Sequence, residues 1–147
     1  MTMNNHFAAA IEEAKLGLKE GGIPIGAVLV YQDKIIGRGH NRRLQKGSPT
    51  LHAEIDALEN AGRLAASVYK QCTLYTTLSP CSMCSGAVLL YKIPRVVIGE
   101  NITFKGDEAL LQSKGVKLEI LQDESCIALM EKFIKENSKI WNEDIGV

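Results

Sequence analysis

Two short motifs contain the residue types in this chain that are best suited to catalysis. The first is His-Ala-Glu at residues 52–54, and the second is Pro-Cys-Ser-Met-Cys at residues 80–84. One imidazole and two thiolates bind zinc well, because this borderline-soft ion accepts nitrogen and sulfur ligands in a tetrahedron. Three protein ligands leave the fourth position to water, which distinguishes a catalytic zinc site from a closed structural one.

Together the motifs predict a hydrolytic metal centre whose ligands are His52, Cys81 and Cys84. Bound zinc lowers the pKa of a water molecule from ~16 to roughly 7, which makes hydroxide available at neutral pH. Glu54 is not needed as a ligand, and it lies close enough to accept the proton of the water and pass it on. The predicted cofactor is therefore one catalytic Zn²⁺ ion per chain, and Glu54 is the predicted catalytic residue.

Each motif alone has another explanation. A lone Cys-x-x-Cys pair also occurs in redox sites and in structural zinc sites, and a lone His-x-Glu is common by chance. A structural site would need a fourth ligand from His40, Cys72 or Cys126, and none of these has paired spacing with the others. A redox pair would leave His52 and Glu54 unexplained. The combination favours the hydrolytic site, and a non-catalytic zinc module that binds a partner protein is the alternative from a different class.

The charge balance favours a small neutral substrate over a nucleic acid. The 147 residues include 17 basic and 17 acidic side chains, so the net charge is zero and the pI is near 6.8. Nucleic-acid-binding proteins usually have a basic excess, because contacts to phosphates supply most of the affinity. The densest basic cluster is modest and is typical of solvated surface; it consists of Arg38, Arg42, Arg43 and Lys46.

Length and cysteine usage point to one domain in a reducing compartment. A chain of this size is expected to form a single domain over residues 1–147, and that domain includes the predicted zinc site. No apolar run approaches ~18 residues, so no contact with a membrane is expected, and residues 1–7 lack the features of a secretory signal. Four cysteines, two of them assigned to a metal, favour a cytoplasmic location, with or without a nuclear pool. Cys72 and Cys126 are predicted to be small core residues.

Hydrophobic periodicity and turn signals predict that helices and strands alternate along the chain. The predicted strands are residues 25–30, 34–38, 73–78, 95–99 and 116–121, and the predicted helices are residues 4–20, 52–63, 81–91 and 123–136. This alternation indicates an α/β fold, a three-layer α/β/α sandwich with helices on both faces of a mixed sheet.

Both metal-binding segments fall at the N-termini of predicted helices. His52 lies in the first turn of one helix, and Pro80 suits the junction between a strand and the next helix. Cys81 and Cys84 are three residues apart, so they share one face of that helix. The partial positive charge at a helix N-terminus favours the thiolate form that zinc requires.

The two motifs in this order are typical of zinc-dependent nucleobase deaminases, and the chain resembles the fungal-type cytosine deaminases of the cytidine deaminase-like superfamily. The resemblance covers residues 11–146 and includes four further segments: Gly-Gly-Ile-Pro-Ile-Gly at 21–26, Gly-Arg-Gly-His-Asn at 37–41, Thr-Leu-Tyr-Thr-Thr-Leu-Ser-Pro at 73–80 and Trp-Asn-Glu-Asp-Ile-Gly at 141–146. The last segment is more discriminating than the zinc motifs. The resemblance implies a central five-stranded sheet and a symmetric homodimer.

The resemblance also implies an activity, the hydrolytic deamination of free cytosine to uracil and ammonia in pyrimidine salvage. Glu54 would protonate ring N3 and then the leaving amino group. Asn41 and the backbone N–H of Ala53 would hold the pyrimidine carbonyl, and Asp144 with the carbonyl of Ser79 would bind the edge that carries the amino group. The apolar walls around the ring would come from Ile25, Phe104 and Trp141.

Several of these assignments have alternatives at the level of sequence. Trp141 also fits a plain core anchor, and Asp144 also fits a surface or capping carboxylate. Residues 103–107 form a shorter segment than in the fungal pattern. Ser82 replaces an acidic residue and Ala53 replaces a glycine, and these departures affect base preference and not the reaction class. A deaminase of guanine, of a triazine-like base or of adenosine in a transfer RNA loop is the closest alternative function.

Overall fold

A computed structural model describes residues 3–147, in which strands and helices alternate. The strands are β1 (Gly26–Tyr31), β2 (Lys34–His40), β3 (Cys72–Thr76), β4 (Arg95–Ile98) and β5 (Lys117–Ile120). The helices are α1 (Met3–Lys19), α2 (Arg43–Lys46), α3 (Ala53–Ala61), α4 (Ala66–Tyr69), α5 (Ser82–Tyr91), α6 (Glu108–Ser113), α7 (Glu124–Glu136) and α8 (Ser138–Asp144). None of the helices within these residues is both long and apolar enough to cross a membrane.

The five strands form one mixed sheet in the order β2-β1-β3-β4-β5. β1 pairs antiparallel with both β2 and β3, and β3, β4 and β5 run parallel to one another. Parallel neighbours need a crossover connection, which α5 provides between β3 and β4 and α6 provides between β4 and β5. The predicted five-stranded mixed sheet is confirmed.

Side chains on the two faces of the sheet belong to two separate apolar clusters. Val28 of β1 lies in one cluster together with Phe7 of α1. Its neighbour Leu29 lies in the other cluster, together with Ala57 of α3 and Val88 of α5. Successive side chains of a strand point to opposite faces, so helices cover the sheet on both sides. The predicted three-layer sandwich is the observed architecture.

The turn between β1 and β2 lies where the sequence predicts it. Gln32 and Asp33 both have positive φ angles, of 48° and 64°. Two consecutive residues in this region define the tight hairpin turn whose twist matches that of the flanking strands. β2 therefore returns directly alongside β1, and its last residue His40 pairs with Gly26 at the end of the sheet that holds the site.

The sequence predicted the long elements to within a few residues and missed the short ones. The segment at residues 41–50, between the predicted strand 34–38 and the predicted helix 52–63, contains α2, and the helices α4, α6 and α8 were not predicted either. Each of these helices has seven residues or fewer, which is too short for apolar periodicity to be recognised. The omission of α8 matters most, because this helix holds Trp141 and Asp144.

Helix α7 begins at a side-chain cap. Asp123 immediately precedes it, and its carboxylate accepts a hydrogen bond of 3.0 Å from the backbone N–H of Cys126. Such a cap satisfies an N–H group that has no partner within the helix.

Cys126 and Cys72 are both buried, and neither forms a disulfide bond. Burial raises the pKa of the Cys72 thiol to about 11. Both cysteines are core residues, as predicted.

Candidate active site

The N-termini of α3 and α5 lie next to each other and bring the two sequence motifs together. His52 is the residue that precedes α3, and Cys81 is the residue that precedes α5; both have extended backbone conformations. Cys84 follows in the first turn of α5. The side chains of the two motifs therefore meet at positions where helix dipoles favour negative charge.

The three predicted ligand side chains form a cluster that can hold a metal ion. Their nitrogen and sulfur atoms all lie within 4.8 Å of one another. His52 Nδ1 is 3.4 Å from Cys81 Sγ and 3.8 Å from Cys84 Sγ. Tetrahedral zinc bonds of about 2.0 Å to nitrogen and 2.3 Å to sulfur place the two donor atoms about 3.6 Å apart. The spacing of the side chains thus fits a zinc ion.

Asp144 lies on the other side of the His52 imidazole. Its Oδ1 atom is 3.2 Å from His52 Nε2 and 3.9 Å from Arg43 Nη1. These are ion-pair distances without the alignment of a hydrogen bond, so the buried Oδ1 has no hydrogen-bond donor. A carboxylate at this position orients a metal-binding histidine so that its other nitrogen faces the ion. Nδ1 is accordingly the nitrogen that faces the two sulfur atoms. Asp144 is buried, so it is not a surface carboxylate.

Hydrogen bonds and charges shift the pKa values of the ligand side chains. A hydrogen bond from Cys84, assisted by His52, lowers the pKa of Cys81 to about 4 in spite of burial. The same hydrogen bond and burial raise the pKa of Cys84. Burial lowers the pKa of His52, but the Asp144 carboxylate and Cys81 beside it raise this pKa to about 10. Each of the three side chains binds zinc in its deprotonated form, so Cys81 is ready for the ion, while His52 and Cys84 must release a proton to bind it.

Glu54 lies beside this cluster in the first turn of α3. Its side chain is in hydrogen-bond contact with Cys84, and the residue is only 4% exposed. Burial, together with the charge of Cys81, raises the pKa of Glu54 to about 7. The structure therefore places this carboxyl group next to the metal ligands and away from bulk solvent.

A small cavity adjoins the cluster. Its volume is about 20 Å³, which is room for about one water molecule. Two aromatic rings form part of its wall, and Phe104 and Trp141 meet there edge to face with their centroids 5.8 Å apart. The residues that line the cavity are Ile25, His52, Glu54, Leu78, Ser79, Cys81, Phe104, Trp141, Asp144 and Ile145.

Hydrogen bonds from Ser79 hold the segment that bears Phe104. The hydroxyl of Ser79 donates to Glu108 Oε2 at 2.6 Å and accepts from the backbone N–H of Gly106 at 3.0 Å. Asn101 donates to the other oxygen of Glu108 at 3.1 Å. A Cβ atom at Gly106 would lie 1.8 Å from the carbonyl oxygen of Pro80, so only glycine permits this close approach. The short segment is thereby fixed against the cavity.

Two predicted binding residues do not line the cavity. Asn41 is fully buried, and its Nδ2 atom donates to Asp144 Oδ2 at 3.1 Å, while its Oδ1 atom accepts from the backbone N–H of Arg43 at 3.0 Å. Ala53 is the first residue of α3 and is also fully buried. Asn41 therefore reaches the cavity through its hydrogen bond to Asp144, and Ala53 lies between the two residues His52 and Glu54 that do line it.

Two residues of the cavity wall, Leu78 and Ile145, were not predicted. Their positions in the chain give a signal, because Leu78 immediately precedes Ser79 and Ile145 immediately follows Asp144. An apolar residue has no chemistry of its own to reveal such a role, and only its position beside a polar binding residue gives a signal.

Comparison with known protein families matches residues 2–100 to the cytidine and deoxycytidylate deaminase zinc-binding region. The chain belongs to this family. His52, Cys81 and Cys84 lie inside the matched stretch, so the metal that their cluster fits is zinc. The aromatic residues of the cavity and Asp144 lie beyond its end.

Similarity to known deaminases extends over most of the chain, beyond the zinc-binding region. The chain is 57% identical to a cytosine deaminase of Candida albicans over 138 residues, which are 93% of this chain and 92% of the relative. It is 36% identical to a tRNA-specific adenosine deaminase of Buchnera aphidicola over 137 residues, which are 86% of this chain and 89% of the relative. A solved structure from work on A-to-I editing by tRNA:A34 deaminases is 26% identical with a TM-score of 0.74, over 86% of this chain and 99% of that one.

Proposed function

We propose that this protein catalyses the hydrolytic deamination of free cytosine to uracil and ammonia, as one deaminase domain that serves pyrimidine salvage in the cytoplasm. The observation that carries the proposal is the 57% identity to a cytosine deaminase over nearly the full length of both chains. A match over 138 residues extends beyond the zinc-binding region at residues 2–100 and into the part of the chain that carries the rest of the cavity wall.

The proposed catalytic group is Glu54. Zinc, when bound by His52, Cys81 and Cys84, supplies a water of lowered pKa as the nucleophile. The buried carboxylate takes a proton from this water and delivers one to ring N3 as the new C4–O bond forms. Glu54 then takes the proton of the new C4 hydroxyl group and passes it to the amino nitrogen. The C4–N bond breaks as the C4 carbonyl forms, and ammonia and uracil result. Cytosine and one water thus account for all atoms of the products.

The proposed contacts to the base come from residues that line the cavity and from two residues directly behind its wall. Asp144 and the carbonyl of Ser79 line it and are suited to accept hydrogen bonds from the exocyclic amino group. Asn41 and the backbone N–H of Ala53 are the donors proposed for the pyrimidine carbonyl. Ile25, Phe104 and Trp141 supply the apolar wall, where edge and face contacts suit a flat heterocycle. For Asn41 to serve, the base must share or replace its hydrogen bond to Asp144.

A cavity of about 20 Å³ cannot hold even one pyrimidine ring, so the proposed reaction requires opening. An open groove of about 410 Å³ lies immediately outside and shares part of the wall with the cavity. The shared residues are His52, Cys81, Phe104, Asp144 and Ile145. The end of α8, with Asp144 and Ile145, is therefore the proposed lid, because the metal would fix His52 and Cys81, and the hydrogen bonds of Ser79 hold the segment that bears Phe104.

Charge pairing on the surface argues against an RNA substrate. Three of the four residues in the densest basic cluster lie within 4 Å of carboxylates: Arg38 of Glu12 and Glu13, Arg42 of Asp56, and Arg43 of Asp144. Paired cations have less charge to offer to phosphates. With a net charge of zero, this favours the free base over the tRNA adenosine of the more distant relatives.

The test is ammonia release from the zinc-loaded protein with cytosine, guanine, a triazine, cytidine, adenosine and a transfer RNA. We expect turnover of cytosine with uracil as the product. Inert cytosine with turnover of another free base would overturn the choice of substrate and leave the reaction class. Deamination of adenosine in the RNA, with binding that weakens steeply as salt rises, would favour the tRNA alternative.

We also propose that the protein is a homodimer, joined through the outer face of α3 and α5. Leu90 is 69% exposed and its neighbour Tyr91 is 42% exposed at the end of α5. A groove of about 420 Å³ lies between the two helices, and Tyr91, Ile55 and Leu58 form part of its wall. Exposed apolar side chains at one place mark an interaction surface, and a second copy is the occupant that the family resemblance favours.

Light scattering coupled to size-exclusion chromatography is expected to give the mass of two chains, 16.1 kDa each. A Tyr91→Arg variant is expected to shift the mass to that of one chain, because the interface would have to bury the new charge without a partner of opposite charge. Leu110→Arg is the control, since Leu110 is exposed on α6 and outside this groove. A dimer that survives Tyr91→Arg would contradict the proposed interface.

A further inference from the structure

Asp56 links the strand end that bears Asn41 to the helix that bears Glu54. It lies in α3 and is only 5% exposed. One oxygen, Oδ2, accepts two hydrogen bonds, from the backbone N–H of His40 at 3.0 Å and from Arg42 Nε at 2.9 Å. The two donors are the residues immediately before and after Asn41. One carboxylate thus holds both sides of the proposed base-binding amide.

The backbone on either side is shaped for this contact. A Cβ atom at Gly39 would lie 2.6 Å from Asp56 Oδ2 and 2.6 Å from the backbone nitrogen of Ala57. A side chain there would force β2 away from α3, so glycine allows the close approach. Asn41 is itself paired at its backbone N–H, which donates to the carbonyl of Ile25 at 3.0 Å. These contacts fix the end of β2 and the following Asn41 relative to α3.

We propose that Asp56 is a positioning residue for substrate binding, which fixes the amide of Asn41 relative to Glu54 and the metal ligands. The proposal rests on the function proposed above, in which Asn41 binds the pyrimidine carbonyl. Asp56 touches neither the cavity nor the metal ligands' donor atoms, so its effect on the base passes through Asn41.

A role limited to helix stability does not account for these contacts. An acidic residue near the start of a helix is favoured by the dipole whatever its rotamer, yet the carboxylate of Asp56 binds the neighbouring segment instead. Its hydrogen bond raises the pKa of Arg42, so this cation stays charged. Without Asp56, the buried N–H of His40 would lose its partner, and the Arg42 side chain, 28% exposed, would be free to turn to solvent.

The test compares kinetics with cytosine, zinc content and melting temperature for Asp56→Ala, Asp56→Asn, Arg42→Gln and Asp123→Ala. A group that acts on ground-state and transition-state binding alike changes KM and leaves kcat. We expect Asp56→Ala to raise KM about tenfold with kcat nearly unchanged and zinc retained, which is the effect of a lost hydrogen bond to a charged group. Asp56→Asn keeps an acceptor oxygen and is expected to recover part of this loss.

Two further variants separate positioning from stability. Arg42→Gln removes the guanidinium that donates to Asp56 and is expected to raise KM about threefold. Arg42 lies nearer the surface than Asp56, so this variant provides the test if Asp56→Ala does not fold. Asp123→Ala removes a helix cap remote from the site and is expected to lower the melting temperature without changing KM. Unchanged KM in Asp56→Ala and Arg42→Gln, or an equal rise in Asp123→Ala, would overturn the proposal.

The side-chain amide resonance of Asn41 in the zinc-loaded protein distinguishes failure of this proposal from failure of the proposed function. We expect this resonance to move in Asp56→Ala and to stay in Asp123→Ala. If wild type deaminates a different base, the KM ratio is measured with that base. If wild type deaminates no base at all, the proposed function has failed, and an unmoved Asn41 resonance would then overturn the positioning role as well.

Discussion

A Glu54→Gln variant is expected to retain its zinc and to lose at least about a thousandfold in kcat, the upper range for loss of a general acid–base. Glutamine keeps the shape and the hydrogen-bonding capacity of the side chain but cannot take up or release the proton. The measurement is ammonia release from cytosine, paired with zinc quantification by elemental analysis of the same sample. KM is expected to change much less, because Glu54 acts on the proton transfers of the reaction.

The matched control is Glu131→Gln, which makes the same chemical change on the exposed surface of α7. We expect this variant to match wild type in kcat, KM and zinc content. Substantial activity in Glu54→Gln would remove the assigned role from Glu54, and loss of zinc from it would indicate that the residue holds the metal centre together instead.

Removal of zinc is expected to reduce cytosine turnover to background and to lower the melting temperature, and added Zn²⁺ is expected to restore both. Three donor atoms from two helix starts converge within 4.8 Å, and ion binding to the folded state alone stabilises that state. The measurement is a chelator titration followed by metal addition, with activity and thermal unfolding recorded at each step. Restoration by Mg²⁺ as well as by Zn²⁺ would contradict a site of nitrogen and sulfur ligands.

Ligand variants make this prediction specific to the cluster. Cys84→Ala is expected to lose zinc and activity together, and added Zn²⁺ is not expected to restore them. Ser82→Ala is the matched control, since Ser82 is exposed and lies between Cys81 and Cys84 in the same motif without contributing a ligand atom. Full zinc occupancy in Cys84→Ala would show that the ion binds elsewhere.

The metal cluster could be predicted from sequence because its chemistry is local. His52, Cys81 and Cys84 have side chains that few other roles require together, and each stands at a helix start that the neighbouring residues signal. The alternation of strands and helices likewise reflects short-range periodicity, so the mixed sheet and its two covered faces followed from it. The fold and the metal ligands were therefore the predictable part.

The rest of the site depends on contacts between distant parts of the chain. The hydrogen bond from Asn41 to Asp144 joins residues 103 positions apart, and no local pattern encodes such a pair. Helix α8 was missed because seven residues show no clear periodicity, and only the family resemblance indicated that its Trp141 and Asp144 belong to the site; both line the cavity. Asp56 gave no signal at all, since an acid near the start of a helix has an ordinary explanation.

The catalytic residues and a large part of the cavity wall lie on different sides of residue 100, where the family's zinc-binding region ends. The ligands and Glu54 lie within residues 2–100, whereas Phe104, Trp141, Asp144 and Ile145 follow that stretch. Mutations in the last third of the chain can therefore reshape this part of the wall without touching the metal ligands or Glu54. Such a division would let one hydrolytic centre act on different bases, and the relatives of this chain include deaminases of cytosine and of tRNA adenosine.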